Sequence, residues 1–231
     1  MWSDGRIYEG DWIDGKKSGK GLMISSSRNM YEGEFFENCR HGNGTRTWTD
    51  GSIYIGNWTK NKIDGRGYMK WANIGTYDGC WSNGLMHGFG VYRFANGDVY
   101  DGCWSNGLRH GNGKYMWSDG RIYEGDWIDG KKSGKGLMIL SSRNMYEGEF
   151  FENCRHGNGT RTWTDGSIYI GNWTKNKIDG RGYMKWANIG SYDGCWSKGL
   201  MHGFGVYRFA NGDVYDGCWS NGLRHGNGKY M

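Results

Sequence analysis

Apolar and polar residues alternate along much of this chain with a period of two. In residues 122–127, Tyr123, Gly125 and Trp127 fall on one side of an extended chain, and mostly polar residues fall on the other. Residues 111–117 repeat the alternation, with two glycines and two aromatic residues on one side. The pattern predicts pairs of half-buried β-strands, and the helical period of 3.6 does not appear in the sequence.

The alternation recurs every 23 residues, and each unit opens with a tyrosine: Tyr8, Tyr31, Tyr54, Tyr77, Tyr100, Tyr123, Tyr146, Tyr169, Tyr192 and Tyr215. A fixed period of this length is typical of stacked repeat proteins, in which one supersecondary motif follows another. With two strands in each unit, we expect an all-β fold without helices. The sheet should be an elongated, twisted, single-layer antiparallel sheet of tandem β-hairpins.

Two sets of turn residues separate the predicted strands. One set consists of Asp-Gly or Asn-Gly pairs, which predict two-residue hairpins of type I′, at Asp4-Gly5, Asp50-Gly51, Asn96-Gly97 and Asp119-Gly120. The other set carries Gly or Asn, which tolerate a left-handed backbone, and predicts longer loops around Gly15, Asn38, Asn61, Gly84 and Gly107. Residues 26–29 and 73–75 lack either signal, so we expect irregular turns there.

A longer period of 115 residues, equal to five units, is superimposed on the shorter one. Residues 1–115 recur at 116–230 with three changes: Ser25 becomes Leu140, Thr76 becomes Ser191, and Asn83 becomes Lys198. We therefore expect two five-unit blocks, 1–115 and 116–231, that continue as one array. A recent duplication and an engineered tandem fusion both explain this near-identity.

Composition and charge exclude several classes of protein. Aromatic residues make up 16% of the chain, which is too much for a disordered segment despite the 44 glycines. A net charge of +5 without a concentrated basic stripe argues against nucleic acid as a partner. No apolar run is long enough to span a membrane, and residues 1–6 lack signal-peptide character, so we expect a cytoplasmic protein.

The unit Tyr-x-Gly-x-Trp-x-x-Gly-x-x-His-Gly-x-Gly, as it stands from Tyr100 to Gly113, resembles the MORN repeat (membrane occupation and recognition nexus). The resemblance covers the whole chain in ten copies. It implies a twisted single-layer sheet of hairpins with an aromatic-lined groove. Residues 117–127 are similar to the N-terminal MORN arrays of plant phosphatidylinositol-4-phosphate 5-kinases, although this chain contains no kinase domain.

Rows of aromatic residues are the first candidate site. A single layer has no second layer to cover these rings, so part of the aromatic side should stay exposed and bind a helix or an extended peptide. The alternative is that the rings only cover glycines and one another. The residues assigned to this groove are Trp12, Trp58, Trp81, Trp104, Trp117, Trp127, Trp173, Trp196 and Trp219.

Basic residues at one loop position are the second candidate site. They should lie on one edge of the sheet, where each could contribute on the order of 1 kcal/mol near an anionic leaflet. The alternative is a solubilising edge, since Asp14, Glu37 and Asp64 dilute the charge. The residues assigned to lipid binding are Lys16, Lys17, Arg40, Lys62, Arg109, Lys131, Lys132, Arg155, Lys177 and Arg224.

The sequence offers no catalytic or metal-binding constellation. All six histidines occupy one position of the unit, so neighbours should be about 9–10 Å apart, too far to share a zinc ion. We expect them to support the loop. The same spacing keeps Cys80 and Cys103 from forming a disulfide. The glycine-rich residues 15–21 depart from the phosphate-loop spacing and no helix follows. We therefore expect no enzyme, no cofactor and no metal.

The sequence thus favours a non-catalytic scaffold that binds a protein segment along the aromatic groove and associates end to end through open edge strands. A peripheral membrane module that recognises acidic phospholipids or phosphoinositides is the alternative, and it would act at the cytoplasmic face of a membrane. A third interpretation is a regulatory or targeting fragment of a larger lipid kinase.

Overall fold

The computed structural model describes residues 2–231, and these contain β-strands and turns but no helix. The chain divides into two compact units, Met1–Ser118 and Asp119–Met231. This boundary lies three residues beyond the end of the first 115-residue block. That the two blocks continue as one array stays a prediction.

Each unit contains ten strands. Those of the first unit are β1 (Ile7–Ile13), β2 (Lys16–Ile24), β3 (Met30–Phe36), β4 (Cys39–Thr47), β5 (Ile53–Thr59), β6 (Lys62–Trp71), β7 (Gly75–Ser82), β8 (Leu85–Phe94), β9 (Val99–Ser105) and β10 (Leu108–Met116). Those of the second are β11 (Ile122–Ile128), β12 (Lys131–Ile139), β13 (Met145–Phe151), β14 (Cys154–Thr162), β15 (Ile168–Thr174), β16 (Lys177–Trp186), β17 (Gly190–Ser197), β18 (Leu200–Phe209), β19 (Val214–Ser220) and β20 (Leu223–Tyr230).

Within each unit, every strand pairs antiparallel with the strand that follows it in sequence. This order confirms the predicted all-β fold of tandem hairpins. In a representative hairpin, Tyr54 pairs with Met69 and Gly56 pairs with Gly67. A β-bulge then shifts the register between Gly56 and Trp58. The bulge recurs in each hairpin. It adds residues to the second strand of the hairpin, which is therefore longer than the first.

The core of each unit consists of tyrosine rings laid over glycines. Tyr54 is fully buried, and its hydroxyl donates a hydrogen bond to the carbonyl of Asn57 at 3.0 Å. A Cβ atom at Gly67 would collide with the Tyr54 ring, so the glycine is required by the packing and not by its backbone angles. The ring also meets Trp58 and Trp81 edge to face, at 5.3 and 5.7 Å.

Trp58 and Trp81 each link their own hairpin to the preceding one. The indole nitrogen Nε1 of Trp58 donates to the carbonyl of Gly44, and that of Trp81 donates to Gly67, at 3.2 and 3.1 Å. Alternating Tyr and Trp rings therefore run across the strands as a continuous ladder. A single layer can bury large rings in this way because each ring is covered by the rings of its neighbours.

The turns differ from the sequence-based assignment, which was wrong for both sets. Asp14, Glu37, Lys60, Asn83 and Asn106 have positive φ, and so do the residues that follow them. These pairs are therefore the two-residue turns, and no long loop exists at these positions in residues 2–231. In Asp50-Gly51, only the glycine has positive φ (89°), and its N–H donates to the carbonyl of Trp48. Such turns are of type I followed by a left-handed residue.

The turn expected to be irregular at residues 26–29 follows the same plan. Arg28 has a φ of 62° and donates its N–H to the carbonyl of Ser25, so it occupies the place that Gly51 takes in the next hairpin. Arg143 does the same in the second unit, with a φ of 63°. An arginine in this conformation is strained, because its Cβ crowds the backbone.

Candidate functional site

Side chains of each unit divide between two faces of the sheet. We call the side that carries Tyr31, Tyr54 and Trp58 the aromatic face, and the side that carries Thr45 and Ile55 the reverse face. The predicted aromatic groove lies on the aromatic face. The expectation was that part of this face stays exposed, with rings that only cover glycines and one another as the alternative. The alternative describes seven of the nine assigned tryptophans, which are at most 7% exposed: Trp58, Trp81, Trp104, Trp127, Trp173, Trp196 and Trp219.

The other two assigned tryptophans are more accessible. Trp12 is 51% exposed, and in the described residues no strand precedes its hairpin to cover the ring. Trp117 is half-buried, and its ring centre lies 4.6 Å from that of Tyr115. The buried tryptophans stabilise the sheet, and the binding role assigned to all nine stays a prediction.

The assigned basic residues fall into two groups. Six lie on the aromatic face with their charges over rings, as Arg40 does at 4.5 Å from the ring centre of Trp58. These six are Lys17, Arg40, Arg109, Lys132, Arg155 and Arg224. The predicted single basic edge is therefore divided between a face and a row of turns.

The remaining assigned basic residues stand at the turns. Lys16 forms an ion pair with Glu37 at 2.9 Å, and Lys131 forms the equivalent pair with Glu152 at 2.8 Å. Lys62 donates to the side-chain oxygen of Asn83 at 3.1 Å, and Lys177 is exposed. The charge of this turn row is partly neutralised by its own carboxylates.

The reverse face carries many of the exposed apolar side chains. Ile55 pairs with Tyr68 across β5 and β6, and these residues are 49% and 37% exposed. Phe89 pairs with Cys103 across β8 and β9 and is 59% exposed. Their equivalents in the second unit, Ile170, Tyr183 and Phe204, have nearly the same exposure. Accessible apolar surface is thus concentrated on the face opposite the tyrosine core.

A trough crosses the reverse face of each unit along the paired glycines. In the first unit it spans β1 to β5, has a volume of about 820 Å³, and has a floor formed by the backbone of Gly10, Gly21, Gly33, Gly44 and Gly56. The equivalent trough of the second unit has a volume of about 890 Å³. The floor has no side chains, because tyrosines on the other face require glycine at these positions.

The walls of the trough are acidic and apolar. In the first unit, Glu9, Glu32 and Glu34 stand against a single lysine, Lys20, and Ile55 closes one end. Glu34 has a structural role as well, because its Oε1 accepts the N–H of Asn43 at 3.0 Å. The trough can therefore accept an extended chain with positively charged side chains.

The histidines and cysteines were examined in the sequence as possible metal ligands and disulfide partners. His41 lies 5.8 Å from the ring of Phe36, and its side chain is exposed. The six cysteines are free thiols, as expected for equivalent positions in neighbouring hairpins. In the described residues, no three His, Cys, Asp or Glu side chains are placed to hold a metal ion. No helix in residues 2–231 could span a membrane.

One structural device was missed by the sequence analysis. In each 23-residue repeat, one residue lies between the first glycine and the tryptophan or phenylalanine. Its side chain accepts a backbone N–H from the second strand: Asp11 from Lys20, Glu34 from Asn43, and Asn57 from Arg66. These contacts hold the β-bulge. The recurrence of an acidic or amide side chain at this position in three consecutive units was the available signal.

Comparison with protein families agrees with this geometry. The family model described as "MORN repeat" matches ten segments, at residues 8–30, 31–53, 54–73, 77–99, 100–120, 123–145, 146–168, 169–188, 192–214 and 215–231. Each match begins at the tyrosine whose ring lies over a glycine pair. The chain therefore belongs to the MORN repeat family.

Several solved structures are similar to this chain. The TCP10 domain of Danio rerio CPAP has 12% identity and a TM-score of 0.45, covering 92% of this chain and 94% of that domain. The G-box domain of the microcephaly protein CPAP has 12% identity and a TM-score of 0.48, covering 80% and 96%. The Danio rerio TCP10 domain in complex with a STIL peptide has 14% identity and a TM-score of 0.33, covering 91% and 97%.

No curated protein matches the sequence.

Proposed function

We propose that this protein is a non-catalytic scaffold that binds an extended protein segment in the trough of the reverse face. The supporting observation is a floor of bare backbone with an exposed apolar side chain at one end, where Ile55 is 49% exposed. Exposed apolar surface of this kind usually marks a partner site. The aromatic groove of the sequence analysis is less suitable, since its rings already contact one another.

Dimensions and charge define the segment. The trough crosses four strand spacings of about 4.8 Å each, so an extended chain of about six residues spans it. Small or backbone atoms of the segment would lie over the glycines, and side chains would alternate between the walls. With Glu9 and Glu32 on one wall and Glu34 on the other, lysine or arginine side chains are preferred.

Selection of random peptides of about ten residues on the full chain tests this proposal. Peptides enriched for lysine or arginine alternating with apolar residues are expected. The dissociation constant of a selected peptide is then measured for a variant in which Thr45→Trp and Thr160→Trp fill both troughs. We expect affinity to fall at least about tenfold, because the added rings occupy the space of the segment.

The matched control introduces the same rings elsewhere on strands β5 and β15. Thr59 and Thr174 are exposed and lie outside the trough, so Thr59→Trp with Thr174→Trp should leave affinity unchanged. Equal loss of affinity in both variants, or selection of peptides without a basic preference, would overturn the proposal.

The placement of the basic residues bears on the membrane alternative. Lys17 and Arg40 lie over rings on the aromatic face, and Lys16 is paired with Glu37, so a continuous basic edge is not available to a leaflet. This distribution favours a protein segment over a lipid surface as the main partner. Salt-sensitive binding to vesicles that survives loss of the aromatic-face cations would restore the alternative.

We further propose that the protein associates with itself through β20. This strand pairs with β19, and all of its residues are exposed. The unpaired edge of a strand offers a row of N–H and C=O groups to a second chain. Trp12, which is 51% exposed, gives the first hairpin apolar surface for the same contact.

A further inference from the structure

A small pocket on the aromatic face gathers positive charge. It has a volume of about 250 Å³ and is lined by Lys17, Arg40 and Arg46, together with Met23, Tyr31 and the amide of Asn61. All three cationic residues are half-buried. Since a water molecule occupies about 30 Å³ in the liquid, the pocket can hold a phosphate group with a small organic substituent.

Within residues 2–231, none of the three cations forms an ion pair with a carboxylate. Arg40 donates to the backbone carbonyl of Asn61 at 3.0 Å and lies 4.5 Å from the ring centre of Trp58. Arg46 lies 4.7 Å from the ring centre of Trp48. Lys17 lies over the rings of Tyr8 and Phe35 and reaches the sulfur of Met23 at 3.6 Å. Aromatic rings hold these charges in place without neutralising them.

The cations also repel one another. Burial, followed by the positive charges of Arg6 and Arg40, lowers the pKa of Lys17. Burial and the charge of Arg46 lower the pKa of Arg40 to about 10. Uncompensated like charges in a half-buried pocket are unfavourable, and an anion placed among them would remove the repulsion.

We propose that this pocket binds a phosphate monoester, with Arg40 and Arg46 as hydrogen-bond donors and Lys17 as a point charge. Planar guanidinium groups match the oxygens of a phosphate in pairs, and a lysine ammonium adds charge without fixing an orientation. The site lies on the opposite face from the trough, so it is independent of the proposed segment binding.

The second unit contains the equivalent pocket with one altered wall. Lys132, Arg155 and Arg161 line a pocket of about 210 Å³, in which Leu140 stands where the first pocket has Ser25. This position is one of only three that differ between the two 115-residue blocks. The two pockets therefore have equivalent phosphate-binding cations, and they differ in the substituent that they prefer beside the phosphate.

Leu140 favours an apolar substituent, and the polar Ser25 favours a hydroxylated one. Phenyl phosphate and glycerol 3-phosphate are suitable probes. To measure each pocket alone, Arg161→Gln disables the second site and Arg46→Gln disables the first. By titration calorimetry at low salt, we expect the Leu140 pocket to prefer phenyl phosphate about tenfold more strongly than the Ser25 pocket does.

Exchange of the two wall residues gives the sharper test. Ser25→Leu in the Arg161→Gln background should raise the preference for phenyl phosphate, and Leu140→Ser in the Arg46→Gln background should lower it by a similar factor. Unchanged preferences would overturn the assignment of specificity. Unfolding temperatures of all variants show whether each remains folded.

The charge-matched control uses arginines outside the pockets. Arg28→Gln with Arg143→Gln removes the same charge from exposed turns and should leave both affinities unchanged. Arg46→Gln with Arg161→Gln should abolish binding of both probes. Binding that survives the second pair, or is lost with the first, would show general charge attraction and overturn the site.

Two arms identify the source of the phosphate. Phosphatidylcholine vesicles with and without phosphatidic acid are sedimented with the protein. Vesicle binding that requires Arg46 and Arg161 supports a lipid headgroup as the bound phosphate. Binding of the soluble probes alone supports a free phosphate monoester. Failure of both arms would overturn the proposal.

Discussion

At the scale of single residues, the sheet depends on pairs in which one residue supplies a ring and another supplies space. Tyr77 is fully buried because Gly79 and Gly90 leave room for its ring, and its hydroxyl donates to the carbonyl of Cys80 at 2.9 Å. Trp81 then covers Tyr77 edge to face at 5.1 Å. The rings are therefore the core of the protein, although it has a single layer.

Truncation of one ring should reveal this role. Trp81 is 6% exposed, so we expect Trp81→Ala to lower the free energy of unfolding by about 3–5 kcal/mol. Trp12→Ala is the matched control at the same position of its unit, where the side chain is 51% exposed, and should cost less than about 1 kcal/mol. Urea unfolding measures both, and equal losses would contradict the packing role.

Buried tyrosine hydroxyls predict alkaline destabilisation. Burial is the main cause that raises the pKa of Tyr192 to about 12, and the same holds for Tyr146. In the unfolded chain a tyrosine ionises near pH 10. Because the folded pKa is the higher one, the stabilisation is fully present below about pH 10 and is lost as the pH rises towards 12.

Urea unfolding midpoints should therefore fall between about pH 10 and pH 12. Absorbance of tyrosinate should appear at higher pH in the folded protein than in the chain unfolded by urea. Stability that stays constant across this range would contradict the prediction.

At the scale of elements, each hairpin is closed by a turn of one type and joined to its neighbour by a turn of another. Asn61 shows how a two-residue turn also connects hairpins. Its N–H donates to the carbonyl of Arg40, and its side-chain oxygen accepts the N–H of Arg40 at 2.9 Å. Turns are thus part of the contact between successive hairpins and fix their spacing.

The turn that contains Arg28 should be improved by glycine. Arg28→Gly with Arg143→Gly relieves two left-handed residues, which cost about 1–2 kcal/mol each, against the greater entropy of unfolded glycine. We expect a net gain of about 0.5–1 kcal/mol for each turn. Thermal and urea unfolding measure the gain, and Gly51→Arg with Gly166→Arg should produce a loss of similar size at the equivalent turns.

At the scale of the whole molecule, the repeat gives each unit two chemically different faces. The aromatic face is occupied by its own rings and by cations such as Arg40, whereas the reverse face exposes apolar side chains such as Ile55. Repetition therefore produces rows, and the proposed functions belong to these rows and to the strand edge.

Self-association through β20 predicts a specific dependence on one N–H group. Val214 and Met231 exchange both backbone hydrogen bonds, so the N–H of the adjacent Tyr230 points away from β19. Tyr230→Pro removes this donor and should lower the concentration-dependent mass seen by light scattering. Tyr230→Phe keeps the N–H and loses only the hydroxyl contact with Asp213, so it should associate like the parent chain. A parent chain that stays monomeric at all concentrations would contradict the association.

The sequence by itself determined the architecture. A period of two within a period of 23 requires repeated antiparallel hairpins, because only extended strands place Tyr123, Gly125 and Trp127 on one side. The recurring glycines fixed where rings could lie against the backbone. These are local properties, and they repeat often enough for the pattern to be unambiguous.

Only the tertiary structure decided which surfaces are available. Trp12 and Trp58 occupy the same position of the 23-residue repeat. Trp12 is exposed and Trp58 is buried, because burial of the ring depends on the preceding hairpin. Likewise, Lys16 and Lys17 are adjacent in sequence, but the first pairs with Glu37 at a turn and the second lies over rings. Strand alternation assigns a side chain to a face, whereas its neighbours across the sheet determine what it can contact.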